Sequence, residues 1–334
     1  MSAPGSQRGA PPRLSEALRL AKRLAKRTAR SLGPERMVQA AIELLRAAEP
    51  TYSQKTLALL LEDVIARSDV ARQAELCQAV LLHWREGAAF APYALRCFEV
   101  LEQNLSKLEL QLGPGFEVCE LGPGDSLCLA SLIAAKGASY VGVDPWPPVL
   151  TPALYEDAAR FFREETGLDV SSVLDMSSDP IRYSASIRRE VSSLSLADAS
   201  ADFVFSIAVL EHVRDPQSML AEGWRLLRPG GVALHSIDYE DHRGRGPAAW
   251  EFLRLSTSEW DRLHEGDKAR DYTNRVRHSK WLALIEELGF EVVQVEVGRG
   301  TPPSDLRVHP DLLPFAEGDL EIQGAHFVLR KPAV

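Results

Sequence analysis

The sequence predicts an α/β protein whose parallel sheet has helices on both faces, preceded by a helical region. After Gly113, short apolar runs typical of strands alternate with longer segments of helical periodicity. From Pro34 to about Leu110, only a helical period near 3.6 residues is present. Alternation of strands and helices is typical of a parallel sheet covered on both sides.

Composition and periodicity divide the chain into three parts. Residues 1–13 are rich in Gly, Pro and Ser and are expected to be a disordered tail. Residues 14–110 are predicted to form an N-terminal helical domain that helps to shape the acceptor site or a homodimer. Its first segment, residues 14–30, is a basic amphipathic helix, which can touch an anionic membrane surface weakly or pack on its own domain. Residues 111–334 are predicted to form the α/β domain.

The α/β domain contains seven predicted strands and four helices. In chain order the strands are FEVCEL, YVGVD, IRYSAS, FVFSIAV, VALHSID, GFEVVQVEV and EIQGAHFVLRK. The helices are SLCLASLIAAKG, ALYEDAARFFREET, DPQSMLAEGWRLLR and WLALIEELG, and LRPGG reads as a structural turn before the fifth strand. Residues 239–278 form a long insertion after the fifth strand, which we call the lid insertion.

Charge and composition exclude several classes of protein. The net charge is -9, but residues 1–30 carry eight bases and one acid, so the acidic charge lies in the rest of the chain. An acidic body disfavours a long nucleic-acid track, and we expect no DNA partner. No apolar run reaches the roughly 18 residues of a membrane helix, and the first residues lack the apolar core of a secretory signal. We therefore expect a cytoplasmic location.

The cysteines show no paired metal spacing, which predicts reduced and mostly buried thiols: Cys77, Cys97, Cys119 and Cys128.

A glycine turn flanked by acids follows the first predicted strand. Gly122 and Gly124 let the backbone approach a ligand closely, and the next helix points its N-terminus at the same place. Asp144 ends the second strand, where a carboxylate can accept hydrogen bonds from both hydroxyls of a ribose. Ligands of such sheets bind beyond the carboxyl ends of the strands, so these residues predict one cofactor pocket.

The acids decide between two cofactor classes. A nicotinamide enzyme would use G-x-G-x-x-G, but Leu127 occupies the place of the third glycine. Glu120 before the turn and Asp125 within it would repel a pyrophosphate. Both carboxylates suit a ligand that carries an ammonium and a sulfonium, so the turn and Asp144 favour an adenosyl amino acid.

With the segment from Ser193 to Asp238, the turn resembles the class I S-adenosylmethionine-dependent methyltransferases, specifically the subgroup that includes the ubiquinone and menaquinone methyltransferases. The matching pieces are ELGPGDS, VGVDP, LADASADFVFS, VLEHV and LLRPGG, in the family's order. This resemblance implies a Rossmann-like, seven-stranded methyltransferase sheet.

The resemblance also implies roles by position. Glu120, Gly122 and Gly124 match the loop that holds the methionine part of the cofactor, and Asp144 matches the acid on the ribose. The adenine is expected to contact Pro145 and Trp146, together with Glu190 or, as the alternative, Asp175. Leu210, Glu211 and His212 match positions near the transferred methyl.

The lid insertion is expected to select the methyl acceptor. Its aromatic and basic side chains suit a ring-containing or anionic acceptor, although the aromatics can equally pack the lid on the sheet; the candidates are Tyr239, Trp250, Trp260, Tyr272 and Arg275. The pieces DYEDH, FL, SEW and NRVR resemble bacterial methyltransferases of glycan and secondary-metabolite pathways. We therefore expect O-methylation of a hydroxyl on a sugar or secondary metabolite, as part of a biosynthetic pathway.

Histidines near the strand ends are the candidate general bases. His242 is the first choice, with Asp238 or Asp241 to orient it, and His212 is the rival. His235 lies within the fifth strand and is expected to be buried packing. A His/Asp cluster could instead hold a divalent metal, but the spacing matches no metal signature, so no metal is predicted.

Two other functions remain open from the sequence. The basic N-terminal helix could dock an RNA or protein substrate, although no N/D-P-P-Y-type motif follows the fourth strand. A non-catalytic protein could instead use cofactor binding for assembly, with the helical domain as its interaction module.

Overall fold

The computed structural model describes residues 90–124, 126–145, 152–173, 187–190, 195–241, 246–264 and 272–333. Apart from Phe90, these residues belong to one compact unit, Ala91–Val334. The predicted tail and all but the last helix of the predicted helical domain lie outside the described residues. That last helix, α1 (Phe90–Lys107), precedes the first strand.

The described residues contain a seven-stranded sheet of order β3-β2-β1-β4-β5-β7-β6. Its strands are β1 (Glu117–Leu121), β2 (Ser139–Val143), β3 (Ile187–Glu190), β4 (Ala201–Ile207), β5 (Leu227–Asp238), β6 (Glu291–Arg299) and β7 (Ile322–Arg330). The first five strands run parallel to one another, whereas β7 pairs antiparallel with both β5 and β6. The predicted α/β class and strand number are confirmed.

Five further α-helices, one of them in the lid insertion, are found in the described residues. They are α2 (Cys128–Ala135), α3 (Pro152–Thr166), α4 (Pro216–Leu226), α5 (Thr257–Leu263) and α6 (His278–Glu287), with a 3-10 helix over Gly246–Arg254. Asp215 caps α4 by accepting a hydrogen bond from the Ser218 amide, and Pro216 occupies the first helical turn. Among the helices within the described ranges, none is long and apolar enough to cross a membrane.

The strand order places the predicted cofactor motifs at the middle of the sheet. β1 lies between β2 and β4, and the connection reverses direction there, which is the switch point at which open α/β sheets bind ligands. The core below this point is apolar, with Leu121, Val204 and Leu210 all fully buried. The carboxyl ends of β1, β2 and β4 therefore meet at one edge, where the motif residues follow each strand.

Two element boundaries differ from the sequence prediction. The third strand is described over Ile187–Glu190, whereas the predicted strand IRYSAS lies outside the described residues. LRPGG, predicted as a turn, belongs to β5, which begins at Leu227 directly after α4. The pairing with β4 is irregular between Ala201 and Phe203, and Gly230 takes a φ of +81°, so the glycine bends the strand's start instead of preceding it.

The lid insertion has an apolar cluster of its own. It consists of Ala249, Trp250, Phe252, Leu253 and Trp260. Three leucines from the connection between β6 and β7 pack against it: Leu306, Leu312 and Leu320. A capping box at Ser256 and Glu259 starts α5. The lid is thus a small packed layer braced by residues 300–321, a contribution that the sequence analysis missed because this proline-rich stretch has no periodic pattern.

Candidate functional site

The two glycines of the turn after β1 have different structural roles. Both adopt positive φ, +73° at Gly122 and +67° at Gly124, which disfavours any residue with a Cβ atom. A Cβ at Gly122 would lie 2.5 Å from Cγ1 of Val209, whereas a Cβ at Gly124 would meet no atom within 4 Å. Gly122 therefore lets the loop after β4 pack closely, and Gly124 keeps the backbone open toward the space where a ligand would lie.

Asp144 ties the second strand to this turn. Its carboxylate Oδ2 accepts a hydrogen bond of 3.0 Å from the Gly124 amide, and the residue is only 6% exposed. The predicted ribose acid and the predicted glycine turn are therefore in direct contact. This juxtaposition fits S-adenosylmethionine, because a carboxylate suits the ribose hydroxyls and the open backbone at Gly124 leaves room beside it.

Glu120 forms the acidic side of the same region. Its buried carboxylate accepts a 2.5 Å hydrogen bond from the Tyr140 hydroxyl. Burial raises the pKa of the Tyr93 phenol on α1, although this residue is 48% exposed, and the charges of Cys97 and Glu120 add to that effect. A negative charge here fits the ammonium group of the cofactor.

The loop after β4, Val209–Val213, is held by a distant stretch of the lid, residues 272–277, which we call the return segment. The amide of Asn274 donates to the Glu211 carbonyl at 2.7 Å. Its side-chain Nδ2 donates to the carbonyls of Leu210 at 2.7 Å and Val213 at 3.0 Å. The structure therefore brings two sequence-predicted groups together, the residues after β4 and the end of the lid insertion.

His212 is oriented by the same segment. Its Nδ1 lies 2.6 Å from the carbonyl oxygen of Tyr272. Because a carbonyl only accepts, Nδ1 must carry the proton, which leaves Nε2 as the basic nitrogen of the neutral ring. His212 thus has the tautomer and the fixed ring orientation that a general base needs.

Three of the five predicted acceptor contacts pack within the lid in the structure. Trp250 and Trp260 are 4% and 0% exposed, and their indole nitrogens donate to the carbonyls of Leu320 and Thr273 at 2.8 Å. Arg275 is 7% exposed and donates to the Leu255 carbonyl at 2.8 Å. These side chains hold the lid together, which was the alternative that the sequence left open.

The other two predicted contacts differ from each other. Tyr239 is buried beneath Arg277, and burial raises the pKa of its phenol. Tyr272 is half-buried, and the guanidinium of Arg214 lies 4.4 Å from its ring centre. Tyr272 therefore remains a candidate acceptor contact at the edge of the lid, whereas Tyr239 is a buried packing residue at the start of the lid.

Arg277 anchors the junction of β5, the lid and the last strand. It donates to the carbonyls of Tyr239 at 2.8 Å, Asp319 at 2.9 Å and Ile322 at 2.5 Å. Burial lowers the pKa of Arg277 to about 10. The three carbonyl contacts keep this buried cation solvated by the protein, which explains how a charge can be accommodated there.

The remaining predicted residues lie in or directly after the strands, apart from four that lie outside the described residues. Asp238 Oδ1 accepts from the Glu240 amide at 2.9 Å, which shapes the turn at the end of β5, and Asp241 is buried beside it. His235 is 1% exposed, and burial lowers its pKa to about 4, so its predicted packing role is confirmed. Glu190 ends β3 and pairs with Val143 beside Asp144. Pro145 follows directly, whereas Asp125, Trp146, Asp175 and His242 lie outside the described residues.

Comparisons with known proteins agree with this geometry. Residues 119–235 match the family model described as "Methyltransferase domain". Over 135 residues, 39% of this chain and 34% of the relative, the chain is 33% identical to the arsenite methyltransferase of Aquipseudomonas alcaligenes. Over 185 residues, 54% of this chain and 67% of the relative, it is 26% identical to the ubiquinone biosynthesis O-methyltransferase of Pseudomonas aeruginosa.

Among solved structures, the arsenic(III) S-adenosylmethionine methyltransferase of Chlamydomonas reinhardtii is 21% identical, with a TM-score of 0.35 and coverage of 67% of this chain and 66% of that one. The matched family region begins in β1 and ends in β5, so it contains the glycine turn, Asp144 and the loop after β4. Residues 119–235 therefore match a methyltransferase domain, and the similarity to S-adenosylmethionine-dependent methyltransferases implies S-adenosylmethionine as its cofactor.

Proposed function

We propose that the protein methylates a hydroxyl group of a small molecule, a sugar or a secondary metabolite, with His212 as the general base. The observation that carries the proposal is the 2.6 Å contact between His212 Nδ1 and the Tyr272 carbonyl, which fixes Nε2 as the basic nitrogen. A hydroxyl is a weak nucleophile at neutral pH and profits from a positioned base, which typically contributes about 10²–10⁴-fold.

The chain's own residues supply position and proton transfer. Asp144 and the Gly122–Gly124 turn would hold the ribose and methionine parts of S-adenosylmethionine, which supplies an electrophilic methyl group. Nε2 of His212 would take the proton of the acceptor hydroxyl as its oxygen forms the bond to the methyl carbon. The electrons of the broken carbon–sulfur bond remain on sulfur, so a methyl ether and S-adenosylhomocysteine are formed. The packed lid would keep water away from the acceptor.

The similarity to an arsenite methyltransferase suggests a different acceptor. Arsenic(III) favours soft thiolate ligands. Cys97, Cys119 and Cys128 are buried, and within the described ranges no group of three or more His, Cys, Asp or Glu is arranged to hold a metal ion. The arrangement around His212 favours proton removal from a hydroxyl, so we retain the hydroxyl as the acceptor.

Methyl transfer to small hydroxyl compounds tests the proposal directly. The full chain would be incubated with methyl-labelled S-adenosylmethionine and a panel of phenols, catechols and sugars, and mass spectrometry would detect a labelled methyl ether. His212→Gln should lower turnover by about 10²–10⁴-fold while S-adenosylhomocysteine affinity stays nearly unchanged. Methylation of an amine or a thiol alone, or full turnover by His212→Gln, would contradict the proposal.

A further inference from the structure

We propose that Asn274 is a positioning residue, which holds the loop Val209–Val213 so that His212 keeps Nδ1 protonated and Nε2 basic. The inference rests on the proposed function only in giving His212 the role of base. Asn274 itself lies at the lid's return segment, more than 60 positions from the loop in sequence.

The side chain of Asn274 forms hydrogen bonds to two backbone carbonyls of the loop. Nδ2 donates both its hydrogens to backbone carbonyls, of Leu210 and Val213, which lie on either side of Glu211 and His212. Oδ1 accepts from the Val276 amide at 3.1 Å, which fixes the amide group's orientation. An amide is the side chain that can donate twice and accept at the same time in this geometry.

The backbone of the return segment also forms hydrogen bonds to the loop. The Asn274 amide donates to the Glu211 carbonyl, and the Tyr272 carbonyl accepts from His212 Nδ1. The two Nδ2 bonds add to these contacts and hold the loop at Leu210 and Val213, on either side of His212. The contact that sets the tautomer of His212 therefore depends on the side chain of Asn274, two residues away.

Thr273 offers a matched control in the same segment. It is 2% exposed, and its hydroxyl makes no hydrogen bond to any residue that the structure describes. Thr273→Val changes a side chain next to Asn274 without removing a contact to the loop. His264 offers an internal control, because its Nδ1 lies 2.8 Å from the Trp260 carbonyl within the lid and must also carry a proton.

Nitrogen NMR of the histidine rings in the full chain, without added ligand and above pH 7.5, reports these tautomers directly. The His212 signal is assigned by its loss in His212→Gln. In the unaltered protein, His212 and His264 should both be protonated at Nδ1. In Asn274→Ala, and in Asn274→Asp, which keeps the acceptor but loses the donors, the Nδ1–H to Nε2–H ratio of His212 should fall about fivefold. His264, and His212 in Thr273→Val, should not change.

Several results would overturn the positioning role. They are protonation of His212 at Nε2 in the unaltered protein, an unchanged His212 in Asn274→Ala, and an equal effect of Thr273→Val. If His264 also changes in both Asn274 variants, the lid itself has collapsed, which assigns Asn274 to folding and rejects the proposal. If the tautomers are as expected but no methylated hydroxyl product is formed, the proposed function is rejected and the positioning role of Asn274 stands.

Discussion

Replacement of Gly122 by alanine should destabilise the protein far more than the same change at Gly124. Both positions have φ near +70°, where a residue with a Cβ costs about 1–2 kcal/mol. At Gly122, the new Cβ would also lie 2.5 Å from Cγ1 and 2.7 Å from Cγ2 of Val209. Overpacking of this kind costs about 1–3 kcal/mol more, so Gly122→Ala should lose about 2–5 kcal/mol.

A second substitution separates the two contributions. Val209→Ala removes both clashing methyl groups and leaves the backbone strain at Gly122. The double variant should therefore lose less than the sum of the single variants, by about 1–3 kcal/mol. Gly124→Ala has no such partner, because nothing lies within 4 Å of its Cβ position.

Urea unfolding and calorimetric titration with S-adenosylhomocysteine would measure both effects. Gly124→Ala should keep most of its stability but bind the ligand at least about tenfold more weakly, because its methyl points into open space at the turn. Equal stability losses at the two glycines, or strict additivity of Gly122→Ala and Val209→Ala, would show that Val209 does not set the requirement for glycine at position 122.

Three further outcomes follow from single contacts. Asp144→Ala should weaken S-adenosylhomocysteine binding by about 10²-fold in titration, and Asp144→Asn by less, because the carboxylate would bind the ribose and also fixes the Gly124 amide. The buried His235 has its pKa lowered to about 4 from an ordinary value near 6.5, so the unfolded chain takes up the proton first as pH falls. Between pH 8 and pH 5 this group should cost about 2 kcal/mol of stability that His235→Gln does not lose, and parallel pH profiles in urea would contradict this. Thr273→Val should raise the free energy of unfolding by up to about 1 kcal/mol, since its buried hydroxyl makes no hydrogen bond within the described part of the chain; a loss of stability in urea would contradict this.

The cofactor half of the site was predictable because its signals are local. Gly122, Gly124 and Asp144 follow strands directly, and parallel strands bring their carboxyl ends to one edge whatever the rest of the chain does. Glu120 and the residues after β4 were placed by the same rule.

The acceptor half depends on tertiary contacts that leave no pattern in the sequence. Trp250 and Trp260 look like exposed recognition residues until the connection between β6 and β7 is placed against them. Arg275 and Arg277 are charged residues in a polar stretch of the sequence. In the structure both are buried and donate hydrogen bonds to backbone carbonyls. Asn274 has no distinguishing neighbour in the sequence, since its partners Leu210 and Val213 lie more than 60 residues away.

The loop Val209–Val213 joins the two halves of the site mechanically. On one side, Val209 packs against the glycine turn so closely that no Cβ fits at Gly122. On the other side, Asn274 bonds the carbonyls of Leu210 and Val213. A displacement of the loop must therefore be accommodated at both contacts. We expect Gly122→Ala, which pushes on Val209, to lower the Nδ1–H fraction of His212 even though the return segment is unaltered, and Gly124→Ala to leave it unchanged. If both glycine variants kept the His212 tautomer, the loop would be flexible enough to uncouple the cofactor turn from the proposed base.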